Sequence, residues 1–159
     1  MKRNIFITGA SSGIGKSMAY SFGKNGDNLI LCARRKEKLQ EIKNDIEGRY
    51  GVKVDIYELD VTEYEKVREI VKEIIKNSGK IDVLINNAGY GSYGAIEDVE
   101  ISEAKMQFEV NLFGLARLVQ LVLPHMRKQK SGRIINVSSM GGRMTSYFGG
   151  WYHATKYAL

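Results

Sequence analysis

Short β-branched and apolar runs alternate along this chain with longer stretches of helical period, and that alternation constrains the fold more than any other feature. Strands joined through crossovers of a dozen or more residues pair in parallel, because a hairpin cannot make a parallel neighbour. NIFIT (4–8), NLILCA (28–33), KVDIYEL (53–59), IDVLIN (81–86) and GRIINVSS (132–139) are predicted as strands one to five. The first crossover is a helix running to about Asn25, where Gly26 stops it at a C′ position. Leu39, Ile42 and Ile46 mark the inner face of a charged second helix. Val67, Ile70, Val71, Ile74 and Ile75 do the same for a third, which ends near Gly79. The segment 102–129 predicts one long helix, apolar over more than one stripe through Met106, Val110, Phe113, Leu115, Leu118, Val119, Val122 and Leu123. Such a helix is covered on both sides, by the sheet and by a further helix or second subunit. Pro124 is expected to kink or tighten its last turns. No repeat or boundary interrupts the pattern, so residues 1–159 read as a single α/β domain.

Composition narrows the partners. The 159 residues are 43% apolar, enough for a core, and no apolar run approaches the length of a membrane span. The first residues, MKRNIFITGASSG, hold too short an apolar stretch for a signal peptide. Cys32, the single cysteine, excludes an intrachain disulfide and a multi-cysteine metal site, which suits a reducing cytoplasm. The net charge of +6 favours anionic partners. The basic residues alternate with glutamates along helices, as in RRKEKLQEIKNDIEGR, and so read as solvated faces rather than a nucleic-acid surface. Glycine is in excess, 17 residues against one proline. Most of these glycines gather in three loop regions, where backbone turns sharply or approaches a ligand.

The first of those loops follows strand one: Thr8, Gly9, Ala10, Ser11, Ser12, Gly13, Ile14, Gly15, opening a helix. Glycines at a strand-to-helix turn let backbone approach a pyrophosphate, whose charge meets the helix N-terminus. A phosphate-binding loop of the GxxxxGKS kind is excluded, since Ala10 stands where its first glycine belongs. At the end of strand two, where an acid would hold the ribose hydroxyls of NAD, the chain has Ala33, Arg34, Arg35. Guanidinium groups without an acid favour NADP over NAD, because arginine grips a phosphate bidentately. The rival is a pair of surface arginines at a helix start.

The last stretch carries Ser138, Ser139 and then Tyr152, His153, Ala154, Thr155, Lys156. Tyrosine and lysine four apart share a helix face, and a cation beside a phenol stabilises the phenolate. TGASSGIG, NNAG at Asn86 to Gly89, the serine and YxxxK together resemble the compact, single-domain branch of the short-chain dehydrogenase/reductase family, from Asn4 to Leu159. The resemblance implies a Rossmann-like, three-layered, doubly wound parallel sheet of order 3-2-1-4-5. It implies an oxidoreductase that interconverts a carbonyl and a secondary alcohol by hydride transfer with NADP, NAD being the less favoured cofactor. By position, Tyr152 would be the general acid/base, Lys156 would lower its pKa and hold the nicotinamide ribose, and Ser139 would bond the substrate oxygen. Ser138 is the weaker candidate for that serine. Asn111 would hold a water in a proton relay behind Lys156; its rival is a solvent-facing helix residue. Gly9, Ser11, Ser12, Gly13, Ile14, Gly15, Arg34, Arg35, Asp60, Val61, Asn87, Ala88 and Gly89 would line the cofactor with Tyr152 and Lys156. Asp60 has a rival role as an acid near the helix start at Thr62. His125 and His153 match no family position and read as bystanders, and Thr155 replaces a serine frequent before the lysine.

The substrate pocket would lie over the C-terminal ends of the strands, between loops 90–96 and 140–151. Met140, Met144, Tyr147, Phe148 and Trp151 there suggest an adaptable apolar wall and a lipophilic alcohol or ketone. No metal, nucleic acid or membrane partner is expected, and the resemblance implies a homo-oligomer. It also implies later strands and a substrate lid after YxxxK that these residues do not include. The expectation is therefore double: an NADP-dependent enzyme, or a non-catalytic nucleotide-binding or interaction fragment that lacks the C-terminal part.

Overall fold

The computed structural model describes residues 2–159. Five parallel strands form one sheet of order β3-β2-β1-β4-β5: β1 Asn4–Thr8, β2 Asn28–Ala33, β3 Val54–Glu58, β4 Val83–Asn86 and β5 Arg133–Asn136. The order is the one the family resemblance implied. In β1 and β2 nearly every residue is buried because both sheet faces are covered, as parallel sheets require. The period of two then divides the side chains between two cores. Ile5, Ile7, Leu29 and Leu31 point to one face, where α1 (Gly13–Lys24) and α2 (Lys36–Tyr50) cover them with Ala19, Leu39, Ile42 and Ile46. Phe6, Ile30 and Cys32 point to the other, against Val67, Val71 and Ile74 of α3 (Tyr64–Ser78).

The long helix α4 spans Ile101–Lys128 and completes that second face with Leu118, Val122 and Met126. It is not uniform: residues Glu109–Gly114 adopt π-helical winding between two α-helical parts. Its most apolar eighteen-residue window has a mean hydropathy of 1.2, a value that would suit a membrane span, yet here one side of it is core of the sheet. The opposite side stays uncovered, with Met106 47% and Phe113 49% exposed. Pro124 lies within the second α-helical part, which continues to Lys128.

Helix ends follow their signals. Gly26 (φ 84°) takes the left-handed position after α1, and the Asp27 amide returns to the Phe22 carbonyl. The amino ends of the strands are tied by side chains: Arg3 pairs with Asp27, and the Asn4 amide donates to Asp82 Oδ2 at 2.7 Å. The remaining differences are at strand ends. β4 starts at Val83 rather than residue 81, and β5 stops at Asn136, so Ser138 and Ser139 lie beyond the ladder in the site loop. β5 is one of the sheet's two edges, opposite β3, and most of its residues are exposed.

Leu118 is fully buried in the second core. Leu118→Ala is expected to cost about 3 kcal/mol, read as a lower urea midpoint with an unchanged slope.

Candidate active site

In an open parallel sheet the crevice forms where successive crossovers leave in opposite directions, outside the carboxyl ends of the strands. Here that point lies between β1 and β4, and a cleft of about 690 Å³ opens over it. Its walls are the turn after β1 (Gly9, Ser11, Ser12, Gly13, Ile14), the end of β2 (Ala33, Arg34, Arg35), Leu59 to Val61, residues 87–91, and Ser138, Tyr152 and Lys156.

The turn is held from below. Thr8 Oγ1 accepts from the amides of Asn87 (3.0 Å) and Ala88 (3.1 Å) and donates to the Ile85 carbonyl (3.4 Å), which exhausts its capacity. Asn87 Nδ2 returns bonds to the Thr8 and Gly9 carbonyls at 3.0 and 3.2 Å. This close approach explains two glycines. A Cβ at Gly9 would lie 2.9 Å from the Ala88 backbone, and one at Gly15 would collide with the Gly9 carbonyl and lie 2.6 Å from Asn87 Nδ2. Gly15 therefore serves the packing beneath the cleft and is not among its lining residues. Helix α1 begins with no side-chain cap on its amides and no acid in its first turn. Its orphan N–H groups and positive dipole end are left for an anion.

The cationic end has a definite geometry. Arg35 donates to Ser11 Oγ at 3.1 Å and to Ser12 Oγ at 2.8 Å, lying across the glycine turn. Arg34 is exposed and reaches Asp60 at 4.0 Å. Asp60 lines the cleft, and its Oδ1 accepts from the Thr62 amide and hydroxyl before α3.

At the other end stands α5 (Gly150–Ala158). Lys156 is buried, its Nζ donating to the Val137 carbonyl at 3.2 Å and sitting 5.8 Å from the centre of the Tyr152 ring. Burial pushes its pKa below the usual lysine value. Tyr152 lies against backbone, since a Cβ at Gly91 would be 2.6 Å from its ring, and Tyr93 tilts against it at 5.8 Å. Asn111 is 1% exposed, so it is no solvent-facing residue. Its side chain donates to the Tyr90 carbonyl (2.8 Å) and Thr155 Oγ1 (3.0 Å) and accepts from the Tyr90 amide (3.0 Å). Both amide hydrogens are thus used on protein partners. Thr155 Oγ1 in turn donates to the Tyr152 carbonyl at 2.8 Å.

The two serines differ in their surroundings. Ser138 lines the cleft and donates to the Lys156 carbonyl at 3.3 Å. Ser139 is outside the lining, its Oγ accepting from the Gly141 amide to cap the short turn Met140–Gly142. Tyr90 and Gly91, of the loop 90–96 expected to bound the substrate pocket, also line the cleft; burial, with Glu103 adding, pushes the Tyr90 phenol up to about 12 and keeps it protonated. The π-helical winding has no counterpart in the sequence reading, and only Gly114, whose Cβ would strike the Val61 carbonyl at 2.8 Å, hints at the tight path of α4. Asn111→Leu leaves the Tyr90 amide and carbonyl unpaired. A loss of about 2 kcal/mol in urea unfolding and faster hydrogen exchange at the Tyr90 amide are expected.

The family model for short chain dehydrogenases matches residues 3–159. A 3-ketodihydrosphingosine reductase of Bacteroides thetaiotaomicron is 41% identical over 155 residues, covering 98% of this chain and 54% of that protein. The chain therefore spans about half the length of such curated relatives. L-sorbose reductase from Gluconobacter frateurii, solved with NADPH and L-sorbose, superposes with a TM-score of 0.95 at 32% identity, covering 99% of this chain and 60% of that one. NAD+-bound xylitol dehydrogenase superposes with a TM-score of 0.93 at 29% identity, covering 98% and 60%. Sequence, sheet order and the glycine turn facing a tyrosine–lysine pair agree, and the chain belongs to the short-chain dehydrogenase family.

Proposed function

We propose that this chain binds a nicotinamide dinucleotide, NADP in preference to NAD, and carries the acid/base half of a carbonyl–alcohol interconversion. The observation that carries the reading is the meeting, in one cleft, of an uncapped helix start behind a glycine turn and a buried lysine beside a tyrosine. The residues present fit the cofactor: Gly9 and Gly15 let the turn pack tightly on Asn87 and Ala88 with the α1 amides uncapped, and Arg35 lies over Ser11 and Ser12, where a ribose 2′-phosphate would meet a cation. The NADPH-bound relative supports that preference, and the NAD+-bound one marks its rival.

When bound, the reduced cofactor supplies the hydride. Tyr152 then gives its phenolic proton to the carbonyl oxygen, and Lys156 stabilises the phenolate left behind until solvent returns the proton. In oxidation the same proton travels the other way. Asn111 holds Tyr90 and Thr155, and Thr155 bonds the Tyr152 carbonyl, so the proton donor is braced from behind. A serine hydroxyl orients the substrate oxygen; Ser139 holds this role by family position and Ser138 by its place in the cleft. Exposed Met140, Met144, Tyr147 and Phe148 beside the cleft, and the lipid ketone named for the Bacteroides relative, support a lipophilic ketone or alcohol as substrate. The uncovered face of α4 supports self-association.

Titration with NADPH, followed through energy transfer from Trp151, the only tryptophan, tests the binding half. Arg35→Asp is expected to weaken NADPH by about tenfold or more while leaving NADH little changed; equal loss of both contradicts the phosphate role. Tyr152→Phe is expected to retain NADPH binding and to lower ketone turnover by about a thousandfold. NADPH binding by the unaltered chain without turnover of any ketone restricts the proposal to nucleotide binding.

A further inference from the structure

His153 follows Tyr152 and matches no site motif, yet it is 8% exposed and both of its ring nitrogens are engaged. Nδ1 faces the Gly141 carbonyl at 3.0 Å, and Nε2 meets the Ser146 amide at 3.0 Å and the Ser146 hydroxyl at 3.0 Å. A carbonyl accepts and an amide donates, so the ring is a neutral imidazole with its proton on Nδ1. One partner lies in the Met140–Gly142 turn and the other in the stretch between that turn and α5, and both flanks of the ring are closed by glycine. A Cβ at Gly141 would lie 2.8 Å from Nδ1, and one at Gly149 2.5 Å from Nε2. The imidazole thus fills a slot shaped by the backbone of Gly141 and Gly149 and by Ser146.

The latched segment is otherwise poorly anchored. Met144, Tyr147 and Phe148 are 67%, 92% and 65% exposed, and Phe148 sits at φ 62°, a left-handed conformation that a bulky side chain disfavours. Its carbonyl accepts from the Gly94 amide at 2.8 Å, which ties the segment to the loop bearing Tyr93. Tyr93 and Gly91 contact the Tyr152 ring from that loop, and a Cβ at Gly141 would be 3.2 Å from the same ring. The two loops that bound Tyr152 on its substrate side are therefore joined through residues 141–149, and His153 holds that segment down.

We propose that His153 is a positioning residue: its neutral imidazole latches residues 141–149 across the first turn of α5 and so fixes where the Tyr152 ring stands relative to the substrate-side loops. The functional meaning rests on the reading of Tyr152 as the acid/base, whereas the latch itself is a property of the fold.

The test uses the whole chain and needs no turnover. In His153→Ala, hydrogen exchange at the Ser146 amide is expected to rise about tenfold, the effect of losing one hydrogen bond. With ring-labelled tyrosine, the Tyr152 resonances, assigned through Tyr152→Phe, are expected to shift. His153→Gln places an amide oxygen near the position of Nε2 and is expected to restore both signals, which a merely space-filling histidine would not do. Gly149→Ala keeps the imidazole but drives a methyl into it, and is expected to reproduce His153→Ala. Unchanged Ser146 exchange in His153→Ala, or no recovery in His153→Gln, overturns the proposal. Loss of the far-UV circular dichroism of His153→Ala also overturns it, because His153 would then belong to the global core. If the unaltered chain fails to bind NADPH, the proposed function falls, while the exchange and ring signals still decide the latch.

Discussion

The hydrogen bonds between Thr8 and Asn87 are what the rest of the site depends on. They join the carboxyl ends of β1 and β4, two strands that neighbour each other in the sheet and lie far apart in sequence. Thr8 spends its whole hydrogen-bonding capacity on the β4 side, and Asn87 returns two bonds to the β1 side. That reciprocal pairing draws the glycine turn so close to Ala88 that side chains at Gly9 and Gly15 have no room. A gap of this kind at the point of divergence is a ligand crevice by construction, since the backbone is near, the amides are uncapped and no acid intervenes.

A second coupling spans the other end of the crevice, and the π-helical winding of α4 sits at its centre. π turns admit an extra residue without ending the helix. Asn111, inside that winding, bonds the loop after β4 through Tyr90 and α5 through Thr155, while Gly114 lets the helix press on Val61. One amide side chain therefore fixes three segments that carry no sheet pairing among themselves. A buried network of this kind is favourable only when every member is satisfied, and all of the polar atoms of the Asn111 side chain are.

The readable part of this architecture is the part written in periodicity. Short continuous apolar runs in 4–8 and 28–33, and the 3-4 spacing of Leu39, Ile42, Ile46 and of Val67, Val71, Ile74, mark the strands, the helices and their buried faces directly. The Gly9 to Gly15 turn and the YxxxK spacing mark the two ends of the cleft for the same reason: each is a local pattern with a local cause. What stays hidden is what depends on contacts between distant segments. Nothing within 109–114 signals a π turn, because its reward is the bond from Asn111 to Tyr90. Family position favours Ser139 over Ser138, but that Ser139 caps the following turn while Ser138 lines the cleft shows only in the folded loop. His153 reads as a bystander until Gly141, Ser146 and Gly149 fold around it.

The electrostatics of the cleft follow from the same economy of partners. Arg35 is held by two neutral hydroxyls, which orient its guanidinium without neutralising it, and Lys156 is held by one carbonyl while burial works against its charge. Arg34 alone faces a carboxylate, Asp60, at a distance where solvent screening leaves little interaction. Two cations are thus positioned at opposite ends of one crevice, with an uncapped helix start between them and no tight counter-ion for either. For Lys156 stability alone would favour pairing or removal, since an unpaired buried charge is costly, whereas the Arg35 charge stays in contact with solvent. Arg35 and Lys156, more than a hundred positions apart in sequence, thus set the two ends of one crevice. The nicotinamide dinucleotide proposed above has anionic groups to meet Arg35 and the α1 start, so its binding would link those two ends across the α1 amides.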